Sequence, residues 1–90
     1  MISLTQKTAL EIDKDLAGRI AKLRKRKKLS QSALAEKSGV SFGSLKRFEQ
    51  TGDISLQSLT KMAIALDIED ELDQLFSKVP FASIDEVLRD

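Results

Sequence analysis

Ninety residues suffice for one modest core, and with neither Cys nor His the chain has no disulfide, no thiolate or imidazole metal site and no Cys- or Ser–His-type nucleophile. Hydrophobic residues at 41% and charged residues at 32% strike a globular balance, and four Phe with no Trp or Tyr are too few rings for a base-stacking platform. The net charge of +1 conceals a polarity of +7 over residues 14–28 against −6 over residues 67–90, so one end suits phosphates and the other repels them.

The first predicted element opens at Thr8-x-x-Glu11, a capping box in which the Thr oxygen takes a first-turn amide and the Glu reaches back. Apolar residues then recur at Ala9, Ile12, Leu16, Ile20 and Leu23, one face of a helix running to about Lys27, with Gly18 the place where a break would fall. The basic run Arg24-Lys25-Arg26-Lys27-Lys28 suits the C-terminal dipole of that helix, and it equally suits phosphate contact. Ser30 is an N-cap for a second helix, Gln31–Ser38, with Leu34 and Ala35 inward. Gly39 stands where that helix must stop in left-handed backbone, and Val40 follows as an apolar plug.

Ser41 caps a third helix, Phe42–Gln50, whose Leu45 and Phe48 belong to the core. Thr51-Gly52-Asp53 reads as a loop, and Ser55 caps a fourth helix containing Leu56, Leu59, Ala63 and Leu66. A fifth helix over about Asp70–Ser77 is expected to bury Leu72, Leu75 and Phe76. Its acids Glu69, Asp70, Glu71 and Asp73 are explained by the helix dipole and solubility, without a metal. After Pro80, Ser83-x-x-Glu86 restarts a last turn whose Phe81, Ile84, Val87 and Leu88 form an apolar edge suited to a partner or a second subunit. No alternating strand pattern occurs, so the fold class is all-α. The domain boundaries expected are 1–13 for the N-terminal segment, 14–77 for the folded domain and 78–90 for a C-terminal extension.

A small residue inside a helix crossing (Ala35), a glycine at the turn (Gly39) and an apolar plug (Val40) are what two helices joined by a tight turn require. The stretch LSQSALAEKSGVS, followed by a helix ending in Phe48-Glu49, resembles the Cro/CI, or XRE, class of helix-turn-helix repressors, and the resemblance covers about Leu16–Leu66. It implies a five-helix phage-repressor-like DNA-binding domain with Phe42–Gln50 as the recognition helix. It also places Ser41, Phe42, Gly43, Lys46 and Arg47 toward the bases. Arg47 has the planar fork that matches the O6/N7 edge of guanine. Phe42 either packs on a thymine methyl or packs within the protein. Phosphate contacts are implied for Gln31, Ser44, Lys27 and Lys28, and a structural ion pair for Arg24 with Glu49. The stretch SFGSLKRFEQTG with its following amphipathic helix is similar to HipB-type regulators, antitoxins and autorepressors that accompany HipA-type kinase toxins.

The partners so implied are double-stranded DNA, a second copy of the chain in a homodimer joined through helix 5 and the tail, and a HipA-like toxin. No cofactor is expected. Neither a nucleophile–base pair nor a phosphate-cradling Gly-rich loop is present, so no enzymatic activity is expected. No apolar run reaches the length of a membrane span and the first residues lack a signal-peptide pattern, so the expected setting is the cytoplasm, on the nucleoid.

Overall fold

A computed structural model describes residues 6–78. Five α-helices follow one another: α1 (Ala9–Arg26), α2 (Gln31–Ser38), α3 (Phe42–Thr51), α4 (Leu56–Ala65) and α5 (Glu69–Asp73). The described residues contain no strand. The last turn expected over Ser83–Leu88, with Phe81, lies outside the described residues.

Local chemistry sets most helix ends. At α1 the Thr8 Oγ1 accepts from the Glu11 amide at 3.2 Å while Glu11 Oε1 accepts from the Thr8 amide at 3.3 Å, a complete capping box. Ser30, Ser41 and Ser55 each accept, on the side-chain oxygen, the amide three residues on, and so start α2, α3 and α4. Gly39 closes α2 in left-handed backbone, φ 77°, with its amide donating to the Ala35 carbonyl at 2.9 Å.

One core joins the helices: Ala17 and Ile20 from α1, Leu34 and Ala35 from α2, Leu45 and Phe48 from α3, and Leu59, Met62 and Ala65 from α4, with Val40 and Leu66 beside them. α1 packs on α3, α2 packs on both α3 and α4, and α5 lies on α4. Val40 plugs the turn between α2 and α3, so these two helices are fixed relative to each other before any ligand arrives.

The structure departs from the apolar pattern of the sequence in the stripe of α1 and the end of α5, and it settles Gly18 and Leu56. α1 runs unbroken through Gly18. Its inward stripe is Ala17, Ile20 and Arg24, one residue round from the apolar one: Leu16 and Leu23 are half-buried flanks, while Ala9 and Ile12 are exposed. Leu56 opens α4 but stays exposed, because the buried face of that helix is Leu59, Met62 and Ala63. α5 stops at Asp73 instead of Ser77; Phe76 adopts left-handed backbone, φ 58°, and it and Leu75 are exposed, leaving Leu72 as the half-buried anchor.

Candidate nucleic-acid interface

The helix α3 has two faces. Leu45 and Phe48 are buried to 1% exposure or less and hold it to the body. Ser41 at its cap and Phe42, Gly43, Lys46 and Arg47 along it are all exposed, and these include every residue assigned to base reading. The spacing explains the division: 45 and 48 share one side of a 3.6-residue turn, and 43, 46 and 47 fall off that side.

One of these residues also serves the helix itself. The Ser41 oxygen caps α3 and its hydroxyl donates to Ser44 Oγ at 2.8 Å. Ser44 therefore receives one hydrogen bond and keeps its own O–H to give, which is what a phosphate contact requires. Gly43 stands in open space: nothing outside its own helix lies within 4 Å of where a Cβ would sit. Packing within the protein does not demand glycine there, so the room it leaves is on the outer side. Phe42 is 46% exposed, half packed and half free.

Beneath this face lies a polar cluster joining three helices. Arg24 of α1 is buried, and its Nε and Nη2 donate to Glu49 Oε2 and Oε1 at 2.8 and 3.0 Å, a two-pronged match of guanidinium and carboxylate. Arg24 Nη1 donates to the Leu29 carbonyl at 2.8 Å, and Gln31 Nε2 of α2 donates to Glu49 Oε1 at 3.0 Å. Burial alone pushes the Glu49 carboxyl up, but the hydrogen bonds from Arg24 and Gln31 and the nearby positive charges outweigh it and hold the group below the ordinary glutamate value. Among the described residues, no buried side-chain N or O atom lacks a hydrogen-bond partner.

The structure thus brings Arg24, Glu49 and Gln31 together, a meeting with Gln31 that the spacing alone did not announce. Gln31 uses one amide N–H on Glu49 and retains a second. Lys27, by contrast, is engaged elsewhere: its Nζ is 3.1 Å from Asp67 Oδ2 and holds that carboxyl below the usual range. Lys28 is exposed at the end of α1, in left-handed backbone at φ 57°.

The residue that sequence reasoning missed is Asp53, whose Oδ2 lies 3.1 Å from Arg47 Nη2. A partial signal lay in Gly52, a second glycine that ends a helix in left-handed backbone, φ 82°, as Gly39 does. Among the described residues no group of His, Cys, Asp or Glu could hold a metal, and no helix is long and apolar enough to cross a membrane.

The helix-turn-helix family model, of the XRE type, matches residues 20–72, from the middle of α1 through most of α5. No curated protein matches the chain. The matched span contains the whole of α2, the turn and α3, with every residue of the polar cluster and of the exposed face.

Proposed function

The chain belongs to the XRE-type, or Cro/CI, helix-turn-helix family of DNA-binding transcription regulators, and from that premise we propose that it is a repressor that binds a palindromic operator as a dimer. One observation carries the reading: α3 is anchored by Leu45 and Phe48 while Ser41, Phe42, Gly43, Lys46 and Arg47 project together into solvent. A helix held this way enters a major groove with its side chains already placed.

On this reading Arg47 donates two N–H groups to a guanine edge, Lys46 meets a guanine or a phosphate, and Phe42 lies on a thymine methyl. Gly43 lets the backbone approach closely. Ser44, Gln31 with the free amides at the start of α2, and Lys28 contact phosphates. Lys27 joins them by releasing Asp67. The Arg24–Glu49 pair reads nothing and holds α3 at its angle to α1. Such proteins act in the cytoplasm, on the nucleoid.

Dimerisation follows from scale, because four side chains and one glycine on one helix make too few base contacts to choose an operator, and two half-sites a helical turn apart double them. Leu56 and Ile64 on α4 with Leu75 and Phe76 after α5 remain exposed at 53% or more, and this apolar strip supports a two-fold contact there.

The test begins with a duplex selected by the protein from a random-sequence pool. Arg47→Ala is expected to weaken binding to the selected duplex by about 10- to 100-fold, and to weaken binding to a scrambled duplex far less. Equal losses on both would reduce Arg47 to a phosphate contact. Two protomers per selected duplex, and inverted half-sites within it, are the expected stoichiometry and symmetry.

A second role is supported by the same apolar strip and by the similarity of SFGSLKRFEQTG to HipB-type regulators: the chain is also an antitoxin that captures a HipA-like kinase and represses its own operon. Removal of residues 80–90 is expected to abolish capture of that kinase while operator binding persists. Capture undiminished by the truncation would dismiss the extension as the docking segment.

A further inference from the structure

The end of α3 forms a closed chain of contacts that returns to one of its own exposed side chains. The Thr51 hydroxyl donates to the Arg47 carbonyl at 2.8 Å, and the Asp53 amide donates to that same hydroxyl oxygen at 3.1 Å. The Asp53 carboxylate then closes the circuit with its Oδ2 3.1 Å from Arg47 Nη2. Between Thr51 and Asp53, Gly52 is pressed against the backbone of Asp13 and Lys14 in α1. Asp53 is therefore fixed relative to the axis of α3. Its side chain and that of Arg47 are 67% and 71% exposed, and an ion pair this open contributes little to stability. The arrangement calls for a different use.

We propose that Asp53 is a specificity-determining residue of the DNA-binding surface, acting through Arg47 by orienting its guanidinium and setting a penalty on phosphate contact. The inference rests on the DNA-binding reading above. Its physical basis is the difference in charge between the two targets. A phosphate brought to Arg47 sets a second anion beside the Asp53 carboxylate, so binding there must either break the ion pair or bear the repulsion. A guanine edge carries no net charge. The Asp53 carboxylate sits against Nη2 as an ion pair, which leaves the N–H groups of Nη1 and Nε for O6 and N7. Asp53 thus weakens the contact that every sequence offers and preserves the one that only some sequences offer.

The experiment measures the affinity of the full chain for a mixed-sequence duplex and for a duplex selected by the wild type, at one salt concentration. Asp53→Asn and Asp53→Ala are each made alone and on an Arg47→Ala background, and thermal melting confirms that every variant is folded. Each single variant is expected to bind the mixed duplex about threefold more tightly and the selected duplex no more tightly, so that selectivity falls about threefold. On the Arg47→Ala background the same substitutions are expected to leave the ratio unchanged. Equal gains on both duplexes, or an undiminished change in the ratio without Arg47, would overturn the proposal while leaving DNA binding intact, with Asp53 acting only as a general negative charge. A wild type that binds neither duplex would instead remove the DNA-binding reading, and this inference with it.

Discussion

Gly52→Ala is expected to destabilise the fold by about 3 kcal/mol, of which about 1–2 is the cost of left-handed backbone in a residue with a Cβ and the remainder the cost of moving α1. Gly52 ends α3 at φ 82°, and a Cβ there would stand 2.7 Å from the Asp13 carbonyl carbon and 2.8 Å from the Lys14 amide nitrogen. Neither atom belongs to a side chain that can swing aside. Gly39 supplies the internal comparison: its φ is 77°, but nothing lies within 4 Å of its missing Cβ. Gly39→Ala is therefore expected to lose only the backbone part, about 1–2 kcal/mol. Urea unfolding of the two variants measures the difference, and equal losses would mean that α1 yields to the added methyl freely.

Glu49→Ala is expected to cost about 3–5 kcal/mol, the usual penalty for removing one partner of a buried ion pair. The substitution leaves Arg24, with its side chain 9% exposed, holding only the Leu29 carbonyl, and deprives Gln31 of its acceptor. The pH dependence has a definite sign. The folded carboxyl titrates below the unfolded one, so its contribution is complete above the ordinary glutamate value of about 4.3 and is lost as pH falls through the lower, folded value. The stability gap between wild type and Glu49→Ala should accordingly be widest near neutrality and narrow in acid. A gap below about 1 kcal/mol at neutral pH would place this pair with exposed ion pairs in its energetics.

The features legible in the sequence are those governed by neighbours along the chain. The Thr8 capping box, the serine caps at 30, 41 and 55 and the turn glycine at 39 each depend on residues within about one helical turn, and each stands where the spacing put it. The errors arise where distant parts of the chain decide. Apolar spacing put Ala9, Ile12, Leu16, Ile20 and Leu23 on one face of α1, but of these only Ile20 is buried, together with Ala17 and the charged Arg24, which no apolar template selects. Leu75 and Phe76 have the composition of a core, yet α5 ends before them. On its outward face, α3 exposes Ser41, Phe42, Gly43, Lys46 and Arg47 as its spacing requires. The Arg47–Asp53 contact depends on how the chain turns at Gly52, and no periodicity encodes that.

The two faces of α3 also bear on how such a protein changes over generations. Leu45 and Phe48 carry the packing, and Glu49 ties the helix to its neighbours, while the outward residues other than the half-packed Phe42 take little part in either. Substitution at Lys46 therefore draws little on folding stability, since surface changes away from caps and ion networks usually shift it by no more than about 0.5 kcal/mol. On the proposed reading, duplicated copies of this chain can diverge to new DNA sequences at such a position without first acquiring a compensating mutation. Ser41 is the exception, because its hydroxyl caps the helix it would read from. At that position a new preference and a sound fold must be inherited together.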